Sequence, residues 1–316
     1  MINSQRTALV LGAKGFIGRH ACRALHASGF EVAGLGHGDW APEDWRAWGL
    51  QQWTPGDIDL PTLEALTLPT RPDVVVHCGG SGAVSYSYAQ PFDDFRRSVD
   101  STAALLEWMR LSGKTSRIVF VSSAAVYGDQ GDVDLTEMAT RSPISPYGFH
   151  KVAAESLCDS YSRFFGVKVS IVRLFSVYGE GLRKQLLWDA LRKFSRGESE
   201  FFGTGHELRD WIHVDDAAAL VCAATSQAQA DFEIYNGGSE HADTHRLLSR
   251  LAEISGASKP PAFNGLTHTG NPRRLTSNCQ HARRQLGWQP RIDLENGLSR
   301  YVEWFDGIDA GNLTAS

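Results

Sequence analysis

A chain of 316 residues and 34.7 kDa that is 42% hydrophobic can bury one large core or two unequal ones, which excludes a disordered protein. A formal net charge of -5 with dispersed Lys and Arg argues against a nucleic-acid partner, and no apolar stretch approaches the roughly 20 residues of a membrane span. Five cysteines without a CxxC pair (Cys22, Cys78, Cys158, Cys222, Cys279), and a strand that begins almost at the N-terminus with no room for a signal peptide, predict a cytoplasmic protein with buried thiols.

The first half alternates short β-branched runs with helical patterns. TALVLG leads into FIGRHACRALHASG, where Ile17, Ala21 and Leu25 recur every four residues and Gly29 stands at the C-terminal cap position. EVAGL, DVVVHC, the amphipathic DDFRRSVDSTAALLEWMRLSG, RIVFVSS, a helix over 146–165 and VKVSIVRLF continue the alternation. This order predicts βαβ units in an α/β fold, a doubly wound parallel sheet of six or seven strands over residues 1–178. After Gly179 the helical RKQLLWDALRKFSRG and HRLLSRLAEISG mix with the strand-like ESEFFGTG, WIHV and FEIYNGG. Residues 179–316 are therefore expected to form mainly a smaller mixed α/β lobe, with the chain free to cross between lobes. Ligands of open α/β sheets bind at the carboxyl ends of the strands, which places the cleft between the two.

GAKGFIG, with Gly12, Gly15 and Gly18, follows the first strand and opens the first helix. Small residues there let the backbone approach a pyrophosphate, whose charge meets free amides and the helix dipole. Gly12, Lys14, Gly15, Phe16, Ile17 and Gly18 are the expected dinucleotide contacts. An acid at the end of the second strand would bond a ribose 2'-hydroxyl, but Gly36 and His37 stand there. Lys14 and His37 are placed to meet a 2'-phosphate, which favours NADP over NAD, unless Lys14 merely points to solvent. Asp57 and Ile58 follow the third strand, where Asp57 either bonds adenine or is an exposed loop carboxylate.

SPYGFHKVAAE puts Tyr147 and Lys151 four apart on one helical face. A phenol with pKa about 10 is a poor base at neutral pH, and a neighbouring ammonium and a cationic nicotinamide ring favour its phenolate. Ser123 of VSSAAVYG, at the mouth of the fifth strand, can share the same substrate proton. The three converge on one alcohol, and Tyr147 and Lys151 also face the cofactor.

With these residues in view, the chain resembles the extended short-chain dehydrogenase/reductase superfamily, in its nucleotide-sugar epimerase and dehydratase branch. GAKGFIG, SSAAVYG, YGFHK, RLFSVYGEG, GTGHELRDWIHVDDAA, YNGG and LGWQP carry the likeness along nearly the whole chain. The resemblance implies a Rossmann-type nicotinamide lobe, a lobe for a nucleotide diphosphate sugar, and catalysis by Ser123, Tyr147 and Lys151. It implies that Arg209 grips the substrate diphosphate, the alternative being a salt bridge to Asp215 or Asp216, and that Lys184 adds a cation or stays exposed. It also implies a homodimer through the helix from about 92 to 112 and the helix bearing Tyr147.

In dehydratases of this branch Asp and Glu follow the catalytic hydroxyl, whereas this chain has Ala124 and Ala125, which cannot transfer protons. What remains is hydride and proton exchange at sugar C4. The expected activity is a C4 epimerase acting through a 4-keto intermediate, with an NADPH-dependent 4-keto sugar reductase as the alternative and a non-catalytic dinucleotide sensor a more distant one. Ser98 and Ser176 stand where many members carry Asn. Histidine spacing predicts no metal site. The tryptophans at 40, 45, 48 and 53 predict core packing or an adenine wall, Cys279 and His281 predict helix packing, and Asn264, Arg273 and Arg274 are candidate base or ribose contacts.

Overall fold

The computed structural model describes residues 6–68, 71–112, 116–268 and 270–313. The strands are β1 (Arg6–Leu11), β2 (Phe30–Gly36), β3 (Leu50–Pro55), β4 (Val74–His77), β5 (Arg117–Ser123), β6 (Lys168–Leu174), β7 (Ser176–Tyr178), β8 (Glu200–Phe201), β9 (Leu208–His213), β10 (Phe232–Gly237), β11 (Glu240–Asp243), β12 (Ala262–Phe263) and β13 (Arg274–Leu275). The helices are α1 (Phe16–Ala27), α2 (Pro42–Ala47), α3 (Leu60–Ala65), α4 (Val84–Ala89), α5 (Pro91–Phe95), α6 (Ser101–Leu111), α7 (Pro146–Phe165), α8 (Gln185–Phe194), α9 (Val214–Ser226), α10 (Thr244–Ile254), α11 (Gln280–Leu286) and α12 (Leu294–Leu313). A π turn over Arg96–Asp100 makes α5 and α6 one continuous rod.

Seven parallel strands form the main sheet in the order β10-β6-β5-β4-β1-β2-β3. Its central strands are apolar on both faces: β4 and the last four residues of β1 are wholly buried, as a parallel sheet covered by helices on both sides requires. FEIYNG, expected in the second lobe, is instead β10, paired in parallel with β6 from Phe232 opposite Val169 to Gly237 opposite Leu174. The chain returns because α9 is apolar nearly all round, burying Val214, Ala217, Ala218, Leu220, Val221 and Ala224 between the sheet and α1. A helix of that composition cannot sit at a surface, and it delivers β10 to the open edge of β6. The second lobe holds a small sheet in the order β11-β9-β13, with β7 also on β9, and a core including Tyr178, Leu191, Trp211, Leu247 and Tyr301. Among the described residues no helix is long and apolar enough to cross a membrane.

A charged network ties α1 to the second lobe. Asp215 bonds buried His20 at 2.8 Å, Arg23 at 2.7 Å and Arg300 at 2.7 Å, while Glu180 takes His213 at 2.8 Å and Arg300 at 2.7 Å. Burial alone would raise the Glu180 carboxyl, but the hydrogen bond from His213 and the Arg300 charge hold it at about 2. Burial likewise opposes Asp215, yet bonds from His20 and Arg300 carry it far below the ordinary range. A carboxyl depressed on folding stabilises above its unfolded value and loses that contribution as pH falls through the folded value. For Glu180 the window runs from 4.5, its ordinary value, down to about 2. The melting temperature of the wild type should therefore exceed that of Glu180→Gln at neutral pH and converge on it across this window. A constant gap down to pH 2 would show that the ion pairs contribute nothing to stability.

Candidate active site

The glycine loop follows from steric necessity. Gly12 has φ +76, and its N–H donates to Leu35 O at 2.7 Å. A Cβ there would stand 3.0 Å from the Cys78 carbonyl, and one on Gly18 would stand 2.1 Å from Gly12 O. Only bare backbone lets β1, β4 and α1 meet so closely. Gly15 caps α1 with no side-chain hydrogen bond, leaving the first amides for an anion, and Gly15, Phe16, Ile17 and Gly18 line a cleft of about 890 Å³. Beyond its rim, Lys14 Nζ donates to Asp39 O at 2.5 Å. His37 pairs with Asp57 at 3.0 Å, both largely exposed, so Lys14 and His37 are engaged within the protein. Ile58 packs on the loop after β4, its Cδ1 2.4 Å from where a Gly79 Cβ would lie. Trp53 lies against Gly36 and edge-on to Trp40 at 5.3 Å, with its buried Nε1 unpartnered. Uncapped amides and glycines that leave no side chain in the way fit a dinucleotide, whereas Trp40, Trp45, Trp48 and Trp53 pack in or against the core.

At the reaction end β5 stops at Ser123, whose Oγ accepts from Ala125 N at 3.2 Å and so begins a 3₁₀ turn over Ala124–Val126. Ala124 is buried with Val126, Tyr127, Leu135 and Phe175, and both Ala124 and Ala125 border the cleft. α7 starts where its sequence dictates: Ser145 Oγ accepts from Gly148 N at 3.2 Å, Pro146 opens the first turn, and Gly166 ends the helix with φ +68. Tyr147 N donates to Ser87 Oγ at 3.0 Å, locking the helix start to α4. A Cβ on Gly148 would stand 2.6 Å from Ala125 O, so this glycine is what lets Tyr147 approach Ser123. Gly148→Ala should fold, since Ala suits a helix interior, yet lose at least tenfold in kcat/KM as α7 backs away from the Ser123 turn. Wild-type kcat/KM in that variant would show that the close approach is dispensable.

Lys151 is buried, donates to Val121 O at 3.1 Å, and lies 5.9 Å from the Tyr147 ring centre. Burial pulls its ammonium down to about 8, although Cys78, Asp94 and Glu155 hold it up. Burial pushes the Tyr147 phenol up to about 12, against the hydrogen bond with Ser123. Burial leads that rise and the Asp94 charge adds to it, while the help expected from the Lys151 ammonium and a bound cationic nicotinamide acts on the phenolate that the reaction needs.

The other wall comes from the second lobe. Arg209 donates to Leu208 O at 2.8 Å and to Asn271, with burial lowering it to about 10. The alternative salt bridge does not form, because Asp215 serves the network above and Asp216 accepts from Arg291 N and Ile292 N. Lys184 Nζ stands 3.4 Å from where a Gly82 Cβ would lie. Lys151, Lys184 and Arg209 line the cleft, and among the described residues no Asp or Glu does. Asn264, Arg273 and Arg274 are not brought into it: Arg273 pairs with Asp132 at 3.0 Å, Arg274 pairs with Asp134 at 2.7 Å, and Asn264 accepts from Gly203 N. His281 pairs with Glu233 at 3.1 Å and stacks on Tyr235.

Sequence reasoning missed Asn271, Phe202, Gln185 and the tip of the β4 loop. Gln185, the non-glycine among the described residues with φ in the left-handed region at +69, donates across the cleft to Gly82 O at 2.8 Å. The glycines of GGSG, residues 79–82, were the visible signal that backbone and ligand meet there.

Comparison with known proteins agrees with this geometry. The NAD dependent epimerase/dehydratase family matches residues 8–238. An uncharacterised UDP-glucose epimerase of Bacillus subtilis is 28% identical, covering 96% of this chain and 99% of the relative. The structure of Thermotoga maritima UDP-glucose 4-epimerase with UDP-glucose superposes with a TM-score of 0.86 at 28% identity, covering 96% of this chain and 99% of that one. Bacillus cereus UDP-glucuronic acid 4-epimerase, in complex with UDP-glucuronic acid and NAD, gives 0.84 at 27% identity over the same shares. A glycine loop opening the first helix, Ser123, Tyr147 and Lys151 brought together in one cleft and a family match over most of the length lead to one conclusion: the chain belongs to the NAD-dependent epimerase/dehydratase family.

Proposed function

We propose that this enzyme inverts C4 of a nucleotide diphosphate sugar through a 4-keto intermediate, with the dinucleotide recycled in place. The observation that carries this reading is the approach of Ser123, Tyr147 and Lys151 beside Ala124 and Ala125, which supports exchange at an alcohol and gives elimination neither acid nor base. Tyr147, as the phenolate that the Lys151 ammonium stabilises, takes the C4 hydroxyl proton to become the phenol and later returns it to the same oxygen, which Ser123 bonds throughout. When bound, the nicotinamide supplies the hydride acceptor and donor. The main sheet, including 214–237, serves as the dinucleotide lobe and the remainder after 178 as the sugar-nucleotide lobe, with Arg209 on the diphosphate and Lys184 beside the sugar.

NAD is the cofactor that the contacts favour. Lys14 and His37, the basis for NADP, are tied to Asp39 O and Asp57, and the Asp57 carboxylate would repel a 2'-phosphate. NAD in the Bacillus cereus structure supports the same choice. The test is to denature freshly purified protein, identify the released dinucleotide by mass spectrometry, and incubate the enzyme with UDP-glucose and UDP-glucuronate without added cofactor. Near-stoichiometric NAD and C4 inversion are expected; empty protein that consumes NADPH with a 4-keto sugar would make it a reductase. Arg209→Leu should raise KM for the sugar nucleotide at least tenfold with little change in kcat, and an unchanged KM would remove Arg209 from the diphosphate site.

A homodimer in the cytoplasm completes the proposal. Phe92 is 73% exposed and Phe164 77%, and with Phe149 and Leu111 they leave large apolar side chains uncovered on the α5–α6 rod and on α7. Light scattering should report a dimer at micromolar concentration; a monomer there would remove this interface.

A further inference from the structure

Behind the loop after β4 lies a polar group that the reaction itself does not use. Asp94 of α5 is fully buried, and both its carboxylate oxygens are taken: Ser81 donates its hydroxyl to Oδ1, and His150 of α7 pairs with Oδ2 through Nδ1. In the first of these contacts Ser81 is the donor, so its proton is aimed at Asp94. Phe95 stands edge-on to that imidazole at 5.6 Å, and Asp94 N donates to Gln90 O at 3.0 Å, so α5 and α7 grip the group from two sides. Ser81 in turn lines the cleft at the loop tip. Its neighbours carry no side chain: a Cβ on Gly80 would lie 3.6 Å from Lys151 Nζ, and one on Gly82 would lie 3.4 Å from Lys184 Nζ. The loop on either side of Ser81 thus runs beside two ammonium groups, in a cleft lined by Lys151, Lys184 and Arg209 and, among the described residues, by no Asp or Glu.

We propose that Asp94 and His150 are positioning residues that turn the Ser81 proton away from the cleft, so that Ser81 Oγ acts there only as an acceptor and selects a ligand group bearing O–H or N–H next to the reacting carbon. The inference rests on the nucleotide-sugar reading for its ligand. A freely rotating serine would tolerate a donor or an acceptor, whereas one committed to a buried carboxylate rejects any ligand lacking the donor, because its own lone pairs would be left unpaired. The donor is a sugar hydroxyl near C4 or the carboxamide N–H of the nicotinamide. The two sources share this chemistry and separate in the test.

The experiment is a double-mutant cycle read in dissociation constants, which need no turnover. Wild type and Ser81→Ala are titrated with UDP-glucose and its 3-deoxy-3-fluoro and 6-deoxy-6-fluoro analogues, and, after removal of bound cofactor, with NAD and its 3-acetylpyridine analogue, which lacks the amide N–H. In wild type, loss of the donor should weaken binding about tenfold or more, and in Ser81→Ala the same change should cost nothing further. Coupling in a fluoro-sugar arm assigns the donor to the sugar, and coupling in the acetylpyridine arm assigns it to the cofactor. Asp94→Ala should lose that coupling with Ser81 still present, and Asp94→Asn, which keeps one acceptor oxygen, should recover part of it. Equal analogue ratios in wild type and Ser81→Ala in every arm overturn the proposal, as does full coupling in Asp94→Ala. A protein that shows the coupling but does not invert C4 refutes the epimerase reading and leaves this one standing.

Discussion

Tyr147→Phe should lower kcat by about 10²- to 10⁴-fold and leave dinucleotide and sugar-nucleotide affinity within a few-fold of wild type. The substitution removes one oxygen and keeps the ring where it packs, since the helix start is set by the Ser145 cap and by Tyr147 N on Ser87, neither of which uses the phenol. Without that oxygen no group takes the alcohol proton, because Ala124 and Ala125 cannot and Lys151 is held on Val121 O. Ser123→Ala should cost less, as it removes a shared hydrogen bond and not the proton acceptor. In the free enzyme kcat/KM should fall as pH rises through about 8, where Lys151 loses the charge that stabilises the Tyr147 phenolate. Single-turnover kinetics with both dissociation constants separate these effects. A Phe variant that turns over at the wild-type rate would remove Tyr147 from the chemistry and reopen a sensing role.

Arg173→Met should destabilise the protein by about 3–5 kcal/mol, the usual consequence of leaving one buried charge without its partner. Arg173 and Glu155 are both almost fully buried, joined by bonds of 2.9 and 2.7 Å. Arg173 also donates to Tyr127 OH at 2.9 Å and Glu137 O at 3.0 Å, and Glu155 accepts from Ser122 Oγ at 2.7 Å. The network therefore anchors β5, β6, α7 and the 3₁₀ turn directly behind Ser123, and its loss should lower activity along with stability. A shift in the urea midpoint at constant slope measures the effect. Arg173→Met with Glu155→Leu should recover most of the lost stability, since a buried pair replaced by apolar side chains removes the unpaired charge. A single variant as stable as wild type would mean that Arg141, 3.6 Å from Glu155 Oε2, or water takes over the charge.

Much of the centre could be read from local pattern. Three glycines at a strand–helix junction, Ser145 and Pro146 at the head of α7, Gly166 at its end, and a Tyr and Lys four apart are determined within a few residues, because backbone sterics, helix caps and the helical period act at that range. The membership of β10 was not legible: a short strand after an apolar helix carries no mark of the sheet it joins, and only the open edge of β6 and the burial demand of α9 decide it. The engagement of His37 by Asp57 and of Arg209 by Asn271 depends in the same way on chain segments brought together by folding. Asp94, Ser81 and His150, 13 and 56 residues apart along the chain, form one group for that reason alone. By itself the sequence determined which residues could do the chemistry, since side-chain type and periodicity are local properties. Tertiary structure decided protonation and polarity, the raised Tyr147 phenol and the turned Ser81 hydroxyl, because burial and partners at long range exist only in the folded chain.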